Sequence, residues 1–288
     1  MIRLKRTQFA RAAYSVVVRR PFLRHRDPVD ILPSPNIWYY PGAYEVENAA
    51  QDAGGEIWRV LAEECDWAGR DVLDVGCGDG FHLPRFAATA RSVTGVEPHP
   101  PLVHRARERI AGLPGVRVLH GAAQRIPLAD ASVDLVHART AYFFGPGCEP
   151  GLREADRVLR PGGVLVIVDL DVTHEPYGRW MRADLPDYDP PGVERFFAKE
   201  GFGCRRVETR WVFDDAASAE KVLKIEFSPG VAAKATAEVL RRNASGEPVT
   251  FPVGYRVHWR RKPAGLVVPG HSVSSSSAVS DSTSPSTP

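Results

Sequence analysis

The ten residues Asp71-Val-Leu-Asp74-Val75-Gly76-Cys77-Gly78-Asp79-Gly80 constrain this chain more than any other stretch. A short apolar run of strand type enters a turn with glycine at alternate positions, and a helical pattern follows from Phe81. Glycines at 76, 78 and 80 let the backbone turn sharply and leave no Cβ where a ligand lies against it. A helix that opens just after Gly80 offers its unpaired N–H groups to the same ligand. The dinucleotide fingerprint GxGxxG, counted from Gly76, requires glycine at position 81, which is Phe81 here. That mismatch disfavours a nicotinamide-dependent oxidoreductase.

Around this turn the chain alternates strand and helix. Strand patterns cover Asp71 to Val75, Ser92 to Glu97, Gly115 to Leu119, Val133 to His137 and Gly163 to Asp169. Helical patterns separate them at Phe81 to Ala90, Pro100 to Ala111 and Pro150 to Leu159. One further helix is expected at Val46 to Glu64 and another at Pro191 to Glu200. Arg205 to Phe213 and Thr250 to Arg260 read as antiparallel edge strands, with helices near Ser218 to Ile225 and Val231 to Arg241 between them. The expected class is α/β: a Rossmann-like doubly wound sheet of about seven strands, mostly parallel with an antiparallel edge strand, and helices on both faces. Such a sheet binds ligands at the carboxyl ends of its strands.

Glu97 ends the second strand pattern, twenty-one residues past Gly76. A carboxylate at that distance reaches the hydroxyls of a ribose held at the glycine turn. Two later stretches complete a pattern: Gly121-Ala122-Ala123-Gln124 through Asp134-Leu-Val136, and Arg157-Val-Leu-Arg160-Pro161-Gly162-Gly163. With the glycine turn and Glu97 they span residues 71–169 and resemble the class I S-adenosylmethionine (SAM)-dependent methyltransferases of the type 11 group. The resemblance implies SAM as cofactor, held by Asp74, Gly76, Cys77, Gly78, Gly80, Glu97 and Pro98, with Ala122, Ala123 and Gln124 at the adenine. The family usually carries Asp where this chain has Ala122, and a methyl group accepts no hydrogen bond from the adenine amine; the Gln124 side-chain oxygen is the substitute.

Methyl transfer from a sulfonium asks chiefly that an acceptor be held in line in a dry site. Candidate catalytic residues are His137 and Tyr142 after the fourth strand and His174 after the fifth, near Asp169 and Asp171. His137 is read as a base or as an orienting group. Candidate substrate contacts are Tyr44, at the end of an aromatic segment that includes Trp38, Tyr39 and Tyr40, together with His82 and Arg139. The family's nucleobase-amine enzymes carry an Asn/Asp-Pro-Pro-Tyr/Phe run after strand four. His137-Ala-Arg-Thr-Ala-Tyr142 stands there instead, and the Asp189-Pro190-Pro191 run lies elsewhere. A small organic acceptor, methylated at oxygen by analogy with the group, is therefore expected, and nucleic acid is disfavoured. A SAM-binding scaffold without turnover, and an enzyme acting on RNA or protein, are the alternatives.

The ends differ from the middle. Eight of the 37 Lys and Arg fall in residues 1–26 with no acid among them, so residues 1–36 read as a basic arm. Arg19-Arg20-Pro21-Phe22-Leu23-Arg24 looks like a twin-arginine export signal, but His25-Arg26-Asp27-Pro28 follows in place of the apolar segment such a signal requires. Residues 266–288 hold nine serines and no aromatics, a composition that buries too little apolar surface to fold. Residues 37–265 remain as the methyltransferase domain. The four cysteines, Cys65, Cys77, Cys148 and Cys204, have neither disulfide-scaffold density nor zinc-ligand spacing, so no metal is expected. With no apolar run near the ~20 residues of a membrane span, a cytoplasmic protein is expected, of open oligomeric state.

Overall fold

A computed structural model of the chain describes residues 31, 33–142, 145–243 and 248–265. Most of the basic arm and the whole serine-rich tail lie outside the described residues. Two helices, α1 (Pro35–Tyr39) and α2 (Pro41–Ala50), precede α3 (Glu56–Glu64) and the glycine-turn strand β1 (Asp71–Val75). The alternation continues through α4 (Leu83–Ala87), β2 (Ser92–Glu97), α5 (Pro100–Arg109), β3 (Val116–His120), β4 (Val133–Arg139), α6 (Glu149–Val158) and β5 (Leu159–Leu170). Then come α7 (Tyr177–Asp184), α8 (Pro190–Lys199), β6 (Gly203–Phe213), α9 (Ala216–Glu226), α10 (Pro229–Arg242) and β7 (Val249–Arg261).

The seven strands form one sheet in the order β3-β2-β1-β4-β5-β7-β6. β7 runs antiparallel to both β5 and β6, so the antiparallel strand sits one place in from the edge and β6 is outermost. Val164 to Val168 of β5 are at most 1% exposed, and their unbroken Val/Leu/Ile run is what a strand covered on both faces requires. Strand order reverses between β1 and β4, which opens a crevice above their carboxyl ends.

Three features depart from the sequence expectation. The single helix expected over Val46 to Glu64 is two, because Asp52 (φ 52°) and Gly55 (φ 75°) adopt left-handed backbone that breaks the helix. Asp52 then restarts it, both carboxylate oxygens accepting from the Ile57 N–H at 3.1 Å. The helix after the glycine turn is only Leu83–Ala87, since the chain from Gly80 runs through further turns first. The third is a pair of helices that the sequence pattern does not predict, the five-residue α1 and α7.

Among the described residues, no helix is long and apolar enough to cross a membrane.

Candidate functional site

The glycine turn has the backbone its composition requires: Gly76, Gly78 and Gly80 sit at φ 71°, 57° and 81°. A Cβ on Gly78 would fall 2.8 Å from Ile37 Cδ1, and one on Gly80 3.1 Å from Ala106 Cβ. Glu97 closes the turn from the next strand. Its Oε2 accepts from the Gly78 N–H and its Oε1 from the His99 N–H, each at 3.0 Å, and the residue is 4% exposed. Burial pushes this carboxyl above its ordinary value, against the lowering effect of the two N–H groups. Arg109 clamps the turn from α5, donating to the Asp79 carbonyl at 3.1 Å and to Asp79 Oδ2 at 2.9 Å. The same guanidinium donates to Glu45 of α2 at 2.9 Å, which ties the N-terminal helices to the turn.

Those helices form a cover. Ile37 of α1 lies against Gly78, and Trp38 stacks on His99 with ring centroids 4.1 Å apart. Ala122, Ala123 and Gln124 form a tight turn in which the Arg125 N–H donates to the Ala122 carbonyl at 2.9 Å. Gly121 precedes it because a Cβ there would strike Pro127 at 2.8 Å. Thr140, just past β4, holds φ 55°, a left-handed conformation that costs a β-branched residue on the order of 1–3 kcal/mol and that clusters at functional sites.

The proposed catalytic residues occupy three separate places. His137 pairs in register with Asp74 and shares its face of the sheet, where Nδ1 lies 2.7 Å from Asp74 Oδ1. Its ring is packed by Trp58, His82 and Phe86 with centroids 6.5, 6.3 and 5.0 Å away, and the residue is 1% exposed. Tyr142 is buried with its ring against Gly151 of α6, and burial raises its hydroxyl. His174 stands beside Gly254 of β7 with Nε2 3.6 Å from Glu208 Oε2. The structure does not bring the three together.

It does bring together Tyr44 and Arg139. Arg139 extends from the end of β4, donates to Gln51 Oε1 at 2.7 Å and lies over the Tyr255 ring at 5.3 Å. Gln51 in turn donates to Glu47 Oε1 at 2.8 Å. Tyr44 lies in the field of Glu47, Glu226 and Arg139, with burial the main cause that lifts its hydroxyl. Burial, then Arg139, depresses His82 far below the ordinary imidazole value. Tyr177 of α7 donates to Glu226 Oε2 at 2.8 Å, and Asn36 of α1 donates to Glu226 Oε1 at 2.5 Å. The end of β4, α1, α2, α7, α9 and the middle of β7 thus bring one polar cluster together beside the switch point. Sequence reading missed Asn36, Glu47, Tyr177, Glu226 and Tyr255, because 190 residues separate Asn36 from its partner Glu226 and no local pattern links them.

On the opposite face of the sheet, Asp169 is 0% exposed, neither of its oxygens meets a donor, and burial pushes its carboxyl up to about 7 against the pull of Arg256. With a folded pKa above the unfolded value, the folded state binds the extra proton between about pH 4 and pH 7. Stability is therefore greatest below that window and falls as pH rises through it. Asp169→Asn is expected to flatten this part of the stability–pH curve in urea titrations; an unchanged slope would show that Asp169 does not cause it.

Residues 73–167 match the family model described as a methyltransferase domain. A probable S-adenosylmethionine-dependent methyltransferase of Mycolicibacterium smegmatis is 38% identical over 111 residues, 38% of this chain and 41% of that protein. The malonyl-[acyl-carrier protein] O-methyltransferase of Pectobacterium atrosepticum is 33% identical over 145 residues, 50% of this chain and 55% of that protein. A demethylmenaquinone methyltransferase of Staphylococcus aureus is 28% identical over 149 residues, 50% of this chain and 62% of that protein. The chain thus spans 41% to 62% of the length of these relatives. In fold, it resembles the YcgJ protein of Bacillus subtilis with a TM-score of 0.52 at 19% identity, over 74% of this chain and 99% of that one.

Proposed function

We propose that this chain, whose residues 73–167 match the methyltransferase-domain model, is a class I SAM-dependent methyltransferase that methylates a small organic acceptor held beside the switch point. The observation that carries the reading is the Glu97 carboxylate fixed on the Gly78 turn. Each Glu97 oxygen accepts one backbone N–H and keeps further lone-pair capacity, which suits the two hydroxyls of a ribose. Gly76, Cys77, Gly78 and Gly80 would offer bare backbone to the rest of the nucleoside, with Asp74 and Pro98 flanking them. The turn at Ala122, Ala123 and Gln124 would meet the adenine, where Gln124 supplies the acceptor atom that Ala122 lacks.

When bound, SAM supplies a methyl group already activated on a sulfonium, so the protein's work is orientation and exclusion of water. Ile37 and Trp38 perform the exclusion as parts of a lid, and α1 must shift from Gly78 to admit a nucleoside. Arg139 and Tyr44, brought together at the end of β4, would orient the acceptor.

Calorimetric titration with S-adenosylhomocysteine tests the cofactor reading, and turnover of labelled SAM with pooled metabolites tests catalysis. Wild type should bind at micromolar concentration, while Glu97→Ala should bind about 10- to 100-fold more weakly, because a charge-assisted hydrogen bond contributes about 1.5–3 kcal/mol. A wild-type protein that binds nothing at high micromolar concentration overturns the proposal.

A further inference from the structure

We infer that a cavity between α7, α10 and the first residues of β7 is a second ligand site, built to hold a small organic phosphate. It is separate from the glycine turn and does not rest on the methyltransferase reading.

The cavity has a volume of about 350 Å³, at the lower end of the range of small-molecule sites. Its place follows from the topology. β7 pairs with β5 only from Tyr255 onward, so Val249 to Gly254 run past the carboxyl end of β5 with β6 as their strand partner. α7 and α10 pack against β7 and against each other, and the cavity lies where the three meet. Trp180 of α7, Val239 of α10 and Phe251 of β7 supply its apolar wall, and each is at most 3% exposed. The Trp180 ring stands edge-on to Phe251 with centroids 5.7 Å apart.

The polar side is positive. Among the described residues, the charged groups lining the cavity are Arg210 of β6 with Glu238 and Arg242 of α10. Glu238 is saturated: Oε1 accepts from Arg179 at 3.0 Å and from Arg242 at 2.9 Å, and Oε2 accepts from the Trp180 indole N–H at 3.2 Å. A carboxylate that already holds two guanidiniums leaves a third uncompensated. Arg210 is that third. Its Nε donates to the neutral Thr250 hydroxyl at 3.1 Å, and it forms no ion pair with any acid among the described residues. These bonds leave both Nη groups of Arg210, and Nε and Nη1 of Arg242, to a ligand. Two guanidiniums beside a saturated acid and an apolar wall select an anion with an apolar body. A phosphate monoester fits better than a carboxylate, because its three free oxygens and double charge engage two planar donor forks at once.

Calorimetry on the full chain at low ionic strength, with and without S-adenosylhomocysteine, tests this with phenyl phosphate as probe against phenol, benzoate and inorganic phosphate. Phenyl phosphate should bind at least about tenfold more tightly than each of the three, because each of them lacks either the double charge or the apolar body. Its affinity should be the same whether or not S-adenosylhomocysteine is present. Arg210→Gln and Arg242→Gln change exposed side chains, so both variants should fold normally, and each should lose about tenfold or more in phenyl phosphate affinity. Arg210→Lys keeps the charge without the fork and should recover only part of the loss. Arg59→Gln, which removes an exposed arginine of α3 outside the cavity lining, should bind as wild type. A probe that does not bind, a comparison compound that binds as tightly, or competition by S-adenosylhomocysteine would each overturn the inference. So would unchanged affinity in Arg210→Gln, or an equal loss in Arg59→Gln. Failure to bind S-adenosylhomocysteine is the separate outcome that removes the cofactor reading and leaves this site standing.

Discussion

Gly78→Val is expected to abolish cofactor binding, with affinity for S-adenosylhomocysteine falling more than 100-fold, while the sheet remains folded. Two independent effects act at this position. Backbone at φ 57° is strained for any side chain with a Cβ and most of all for a β-branched one, at on the order of 1–3 kcal/mol. The new Cβ would also meet Ile37 Cδ1 at 2.8 Å, so the valine would wedge α1 away from the turn or fill the space needed by the ligand. The Gly78 N–H that Glu97 accepts would turn with the peptide, which removes the anchor of the acid as well. β1 ends at Val75 and its parallel registers with β2 and β4 lie upstream of the change, so folding survives. Melting temperature should fall by roughly 2–4 °C per kcal/mol of strain, a loss visible by circular dichroism but far from unfolding at ambient temperature. Retained micromolar binding in this variant would remove the glycine turn from the cofactor site.

The turn was readable because its constraint is local: strand, alternate glycines and the acid twenty-one residues on all lie within one βαβ unit. β1 and β2 follow the expected bounds to the residue, and β6, α9, α10 and β7 appear within two residues of theirs. What was not readable depends on pairing between distant segments. Whether His137 points up into the crevice or down into the helix layer is fixed by its register with Asp74, since neighbours along a strand alternate between faces. Glu47 and Glu226 each look like ordinary helix-surface acids until α2 and α9 are packed together. Asn36 and Ile37 belong to a five-residue helix too short to leave a periodic signal, yet they contact the two halves of the site.

His137→Ala should cost stability before it costs chemistry. If His137 were a general base, its removal would lower turnover by about 10²–10⁴ and leave the melting curve in place. The structure favours another result. The imidazole is the hydrogen-bond partner of Asp74, whose side chain is 3% exposed, and it fills space among Trp58, Phe86 and His82. Alanine would leave both a cavity and a buried carboxyl with its partner removed, a combination that costs about 3–5 kcal/mol or more. At roughly 2–4 °C per kcal/mol, the melting temperature should fall by on the order of 6–20 °C. Asp74 lies two residues before Gly76, so its release should also weaken cofactor binding, which a base acting only on the acceptor would leave unchanged. His137→Asn separates the two roles further, because its amide can still donate toward Asp74 but cannot accept a proton as imidazole does. A variant that recovers most of the lost stability and cofactor affinity, and turnover with them, would identify His137 as the residue that positions Asp74. Recovery of stability without turnover would return His137 to the chemistry of the acceptor.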